Sequence, residues 1–127
     1  MLDLDLRKSV LFLGFQKNPY KFMSHSDLFV LSSKWEGFDH VIVEAMACGT
    51  PVLATDCKSG PREIIGSDNY GVLAPVEDYV ELGNLIFDML SNESKRKKYS
   101  LLGTNRSSYF EASKIVREYE KLFIELL

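Results

Sequence analysis

Two glutamates eight positions apart, Glu36 and Glu44, are the residues whose type and spacing could carry chemistry. They close the stretch Glu36-Gly37-Phe38-Asp39-His40-Val41-Ile42-Val43-Glu44, which follows an apolar run ending at Leu31 and enters a helix-period segment. Its first residues therefore fall at the carboxyl end of a parallel strand, where ligands of open α/β sheets bind. Gly37 lets the backbone approach a ligand closely. Amides at the start of the helix can face a phosphate or a sugar hydroxyl. Glu44 lies about one and a half turns into the helix. An ionised carboxylate accepts hydrogen bonds from both hydroxyls of a vicinal diol. Two such groups on one cleft wall suit a ligand with two diols, such as a sugar joined to a ribose. Paired carboxylates serve acid/base chemistry as well, and spacing alone does not choose between these uses. The plainer alternative is a solvated loop glutamate and an ordinary helical one.

Other candidates are weaker. His40 and Glu44 are four apart, but no second histidine is near, so no metal site is expected. Cys48 and Cys57 form neither a disulfide framework nor a metal-ligand pattern, and Cys48 reads as packing. Arg62 opens a helix and could reach a phosphate, although a surface ion pair is the commoner role. Trp35 is expected in the core, His25 on the surface or in packing. The run Lys95-Arg96-Lys97-Lys98 reads as a solvated helix face rather than a lipid contact.

The elements that must position these groups are four short apolar runs: Val10-Leu11-Phe12-Leu13, Leu28-Phe29-Val30-Leu31, Val52-Leu53-Ala54-Thr55 and Gly71-Val72-Leu73-Ala74. None alternates apolar with polar, so each reads as a strand buried on both faces of a parallel sheet. Between them lie crossover helices. Asn18-Pro19 opens a short one, Asp39 caps a second from about His40 to Cys48, and Gly60-Pro61 begins a third. From Asp78 the pattern is wholly helical, with a stripe of Val80, Leu82, Leu85, Ile86, Met89 and Leu90. Asn92 caps the next helix. The last one is expected to bury Ile115, Val116, Tyr119, Leu122, Phe123 and Leu126. The fold class is α/β: a partial Rossmann-like domain, a mostly parallel sheet of about four strands flanked by helices, with a helical C-terminal segment.

A length of 127 residues sets one domain, residues 1–127. Fifteen Lys and Arg against eighteen Asp and Glu give a net charge of −3, which argues against nucleic acid as partner. No apolar run approaches the roughly 18 residues that span a bilayer. The acidic start Met1-Leu2-Asp3-Leu4-Asp5 is unlike a signal peptide, and a reduced cytoplasmic setting is expected.

The phrase S-S-K-W-E-G-F-D-H-V-I-V-E-A-M-A-C-G-T-P-V-L-A-T-D, Ser32 to Asp56, resembles the nucleotide-sugar half of retaining GT-B glycosyltransferases of family four, the group 1 transferases. The likeness continues through Cys57-Lys58-Ser59-Gly60-Pro61-Arg62-Glu63-Ile64-Ile65 and Tyr70-Gly71-Val72-Leu73. Upstream it takes in Val10 to Phe15 and Asp27 to Ser33. It covers the chain from about residue 8 to the C-terminus, and the whole phrase is far more specific than a bare E-x7-E.

The resemblance implies roles residue by residue. Glu36 matches the glutamate beside the donor sugar and is the candidate catalytic residue, without assignment as a nucleophile. The backbone at Gly37, Phe38 and Asp39 matches the segment that contacts sugar hydroxyls and phosphate. Glu44 matches the glutamate that holds the ribose hydroxyls. Gly14, Phe15 and Gln16 match the nucleobase region. Asp39-His40 departs from the Pro or Gly followed by Asn or Leu more usual there. The implied reaction moves a hexosyl or N-acetylhexosaminyl group from a nucleotide diphosphate sugar to an acceptor hydroxyl with retention, in polysaccharide or glycolipid assembly. No cofactor or metal is implied, and UDP is placed ahead of GDP.

The family's basic pair for the pyrophosphate and its N-terminal acceptor domain have no counterpart in this sequence; Arg7 and Lys8 read as a solvated strand entry. The chain is thus expected to be one part of a larger site, weak in donor binding and inactive alone. Its expected partners are the donor, that N-terminal domain and a membrane-associated acceptor at the inner face of the membrane. The alternatives are a non-catalytic nucleotide-sugar-binding module and a GT-B sugar epimerase fragment.

Overall fold

The computed structural model describes Leu6 and residues 8–127. Arg7, expected at a strand entry, lies outside the described residues. Three short strands, β1 (Phe29–Leu31), β2 (Val52–Thr55) and β3 (Val72–Ala74), form a parallel sheet in the order β1-β2-β3. The register pairs Phe29 with Val52 and Leu31 with Ala54, then Leu53 with Val72 and Thr55 with Ala74. Helix α1 (Tyr20–Met23) precedes β1; α2 (His40–Ala47) and α3 (Pro61–Ile65) are the crossovers. Helices α4 (Tyr79–Ser91), α5 (Glu93–Ser107) and α6 (Ala112–Glu125) follow, with a 3-10 turn at Ser108–Phe110.

β2 shows why its sequence is apolar throughout. Successive side chains of a strand point to opposite faces. Val52 and Ala54 join Ile42, Ala45, Met46, Ile64 and Ile65 on the face covered by α2 and α3. Leu53 joins Val72, Ala74, Met89 and Tyr99 on the face covered by α4 and α5. The caps follow the sequence at α4 and α5: Asp78 accepts from the Glu81 amide at 2.9 Å and Asn92 from the Lys95 amide at 2.9 Å. The basic run is tied down more than a solvated face would be. Lys95 pairs with Asp88, Lys97 with Glu93, and Arg96 donates to the Met89 and Leu90 carbonyls that end α4. Arg106 does the same for α3, donating to the carbonyls of Glu63 and Ile64 beneath the Tyr70 and Phe110 rings.

Three expectations need correction. Val10-Leu13 is not a strand: the run pairs with no β-strand among the described residues, and Leu11 and Phe12 are 81% and 92% exposed. Hydrophobicity marks strand-forming residues, but a parallel strand exists only where a neighbour presents its backbone groups. The α6 stripe has the expected helical spacing, yet all six of its apolar residues are exposed. Spacing shows which face is apolar, not what covers it. Trp35 is also exposed, on the loop between β1 and α2.

Candidate functional site

The site lies where the sheet's carboxyl ends meet the start of α2. After Leu31 the chain leaves β1, and the Thr55 hydroxyl at the end of β2 donates to the Ser33 carbonyl, fixing the departing loop. The Ser33 hydroxyl donates to Glu36 Oε1. Glu36 is thereby held half-buried at the strand ends, as the sequence placed it. Gly37 is exposed, with open space around its missing side chain. Phe38 packs edge-on to His40 at 5.0 Å and against Phe110 at 5.7 Å. Together with Val43, Glu63, Ile115 and Tyr119, these rings line a cavity of about 430 Å³ beside the loop.

Asp39 occupies the position before the first helical residue, as expected, but its side chain does not cap the helix. It is 2% exposed, and neither carboxylate oxygen receives a hydrogen bond from a donor. Burial first, then the influence of the Glu36 carboxyl, push the Asp39 carboxyl up to about 6. The carboxyl is turned under Gly60, where φ is +86° and a Cβ would stand 2.5 Å from Asp39 Oδ2 and 2.5 Å from the Gly37 carbonyl oxygen. Sequence reasoning read Gly60 only as a helix start. The signal was there in a glycine closing a strand-end loop just before the Pro61 that opens α3.

Glu44, half-buried on α2, accepts from the Tyr20 hydroxyl at 3.3 Å. The Glu44 charge raises the Tyr20 phenol. Tyr20 was invisible as a site residue because it stands 24 positions away. From Asp39 to Glu44 the helix rises about 7–8 Å. Gly14 and Phe15 lie on an exposed segment; Gln16, half-buried, donates to the Leu13 carbonyl at 2.7 Å. Among the described residues no hydrogen bond joins those three to Glu36 or Glu44.

Arg62 is ion-paired with Asp56, its Nε donating at 2.9 Å. Lys34 is paired with Glu77 at 2.5 Å. A second cavity, about 350 Å³, opens over the ends of all three strands between Ser32, Thr55, Pro75, Glu77, Asp78 and Tyr79. Among the described residues there is no cluster of three or more metal-ligating side chains, and no helix is long and apolar enough to cross a membrane. The arrangement offers carboxylates and free backbone to hydroxyl groups, beside the amides of a helix start.

The family "Glycosyl transferases group 1" matches residues 1–106. An uncharacterized glycosyltransferase of Methanocaldococcus jannaschii is 36% identical over 96% of this chain and 37% of its own length. A Campylobacter jejuni N-acetylgalactosamine-N,N'-diacetylbacillosaminyl-diphospho-undecaprenol 4-alpha-N-acetylgalactosaminyltransferase is 37% identical over 96% of this chain and 33% of its own. The chain thus spans about a third of the length of these curated relatives. Among solved structures, Anabaena HepE in complex with UDP superimposes with a TM-score of 0.88 at 28% identity, covering 95% of this chain and 34% of that one. The C-terminal domain of a group 1 family glycosyl transferase from Francisella tularensis superimposes with a TM-score of 0.71 at 27% identity, covering 82% and 54%. With its sheet and its sequence in agreement, the chain belongs to the group 1 glycosyl transferases and carries part of a GT-B fold.

Proposed function

We propose that this chain is the donor-binding part of a glycosyltransferase that moves a sugar from a nucleotide diphosphate sugar to an acceptor hydroxyl with retention. The observation that carries the reading is the pair of anchored glutamates, Glu36 at the sheet's carboxyl ends and Glu44 on the helix that follows, in a chain superimposable on HepE in complex with UDP. Glu44, steadied by Tyr20, accepts the two ribose hydroxyls. Glu36, steadied by Ser33, lies beside the donor sugar, and the backbone of Gly37, Phe38 and Asp39 meets sugar hydroxyls and phosphate. Gly14, Phe15 and Gln16 lie against the base. UDP is favoured over GDP, in keeping with the UDP and UDP-glucose complexes of HepE.

The chemical task is to stabilise an oxocarbenium-like sugar and a departing diphosphate together. The amides at the start of α2 serve the diphosphate, and the carboxylates hold the sugar in place. Lys34 and Arg62 are occupied by Glu77 and Asp56, and in this reading the family's basic pair for the diphosphate is supplied by the rest of the enzyme. That makes the isolated chain a feeble donor binder without activity, completed by an N-terminal acceptor domain. The transferred group is a hexosyl or N-acetylhexosaminyl unit. The acceptor is a polysaccharide or glycolipid intermediate at the inner face of the membrane, a reading supported by the diphospho-undecaprenol named for the Campylobacter relative.

The test is a ligand-observed NMR titration with UDP, GDP, UDP-glucose and free glucose, repeated on Glu44→Ala. Weak UDP and UDP-glucose signals that vanish in the variant are expected. Equal signals from both proteins overturn the ribose assignment. An α/β domain encoded in frame upstream supports the transferase, and its absence replaces it with a stand-alone binding module.

A further inference from the structure

The cavity beside the donor loop has no part in the donor-binding reading, although one of its walls belongs to that loop. Its volume of about 430 Å³ falls within the span of small-molecule sites and leaves room for a sugar ring with its substituents. Aromatic rings line it from three directions: Phe38 from the loop, Phe110 from the 3-10 turn and Tyr119 from α6. Two polar side chains join them, His40 at the start of α2 and Glu63 in the first turn of α3, and both are exposed. The walls are fixed in advance. Arg106 stands 4.9 Å from the Phe110 ring and donates to the Glu63 carbonyl at 2.8 Å. Phe38 in turn packs at 5.7 Å from Phe110 and 5.0 Å from His40.

This mixture selects among ligands. A hydrocarbon chain would cover the rings, but it would also take the Glu63 carboxylate and the His40 imidazole out of water without partners, a costly exchange. An anion, whether phosphate or uronate, would meet Glu63 and, among the described residues, no Lys or Arg in the wall. A neutral pyranose satisfies both halves of the lining. Its C–H face lies on a ring, and adjacent hydroxyls on its edge donate to the two carboxylate oxygens. We propose that the cavity is a subsite for a neutral pyranose, the acceptor sugar that stands next to the donor. Phe38 is the link, because its backbone belongs to the donor-contacting segment and its ring to the cavity wall. The acceptor assignment rests on the donor-binding reading of that segment; the sugar binding does not.

Saturation-transfer NMR on the free chain tests the proposal, with methyl glucoside, methyl N-acetylglucosaminide, glucuronate and hexanol as probes. The two neutral glycosides are expected to bind weakly, and better than glucuronate or hexanol. Glu63→Gln, which keeps the shape and removes the charged acceptor, should weaken them about tenfold. Tyr119→Ala, which removes one platform, should weaken them about three- to tenfold. Both side chains are exposed, Tyr119 by 58%, so the fold is expected to stand, and circular dichroism checks it. Absence of any glycoside signal at tens of millimolar overturns the subsite, as do equal signals from wild type and both variants. Hexanol or glucuronate binding in preference to the glycosides overturns the ligand class. UDP is titrated in parallel on wild type and Glu44→Ala, and the variant is expected to lose UDP and keep the glycosides. Glycoside binding at the cavity without UDP binding refutes the donor reading alone, and UDP binding without glycoside binding refutes the subsite alone.

Discussion

Replacing Gly60 by alanine is the most demanding perturbation the structure offers, because two penalties fall on one methyl group. The backbone there has φ +86° and ψ −82°, a region that residues with a side chain rarely adopt. Holding it costs about 1–3 kcal/mol. The new Cβ would stand 2.5 Å from the Gly37 carbonyl oxygen and 2.5 Å from Asp39 Oδ2. The first contact is with backbone and the second with a buried side chain, so neither can swing aside. Overpacking of that kind costs about 1–3 kcal/mol. Together the loss is about 2–6 kcal/mol, a large part of the roughly 5–15 kcal/mol that holds a domain folded. Gly83 is the internal control, since it sits in the middle of α4 with nothing within 4 Å of an added Cβ. Gly83→Ala is expected to stabilise by up to about 1 kcal/mol. Urea denaturation followed by circular dichroism measures both, with the slope unchanged if only stability moves. If Gly60→Ala stays within about 0.5 kcal/mol of wild type, the close stacking of the two strand-end loops is wrong.

Asp39 gives the chain a pH signature. Its folded value, about 6, lies above the usual aspartate value near 3.8, so the folded state holds this proton more tightly than the unfolded chain. The resulting stabilisation is complete below about pH 4 and disappears as pH rises through 6. The unfolding free energy should fall between pH 5 and 7, by about 1 kcal/mol, and the fall should shrink in Asp39→Asn; an unchanged fall in the variant assigns it to other groups. Met46→Ala removes a fully buried side chain that packs on Gly103 of α5, and should cost about 2–5 kcal/mol in the same urea assay. Tyr20→Phe deletes the hydroxyl that steadies Glu44 and should weaken UDP binding about two- to tenfold, with stability untouched because the ring is half exposed. Amide hydrogen exchange should be fast along α6, which buries no residue, and slow in α2; equal protection of both would contradict the described packing.

The local elements were legible because their signals are local. The β2 run, the Asp78 and Asn92 caps, and the glycines and prolines that punctuate the helices all act through neighbours a few residues away. So was the position of Glu36 at a strand end and Glu44 on the following helix, since chain order alone puts a strand-to-helix loop there. The sequence phrase also pointed to the family to which the chain belongs. What it did not contain was any contact made across the fold. Tyr20 reaches Glu44, Arg106 closes the end of α3, and Gly60 roofs Asp39 only after the sheet has brought distant loops together. For the same reason the run at Val10–Leu13 and the stripe on α6 misled: an apolar pattern records a preference for burial, whereas burial needs a partner surface that only tertiary structure supplies. Asp39 is the sharpest instance. Its sequence position makes it a helix cap, but packing turns its carboxyl inward beneath Gly60, and the desolvation that follows raises its pKa.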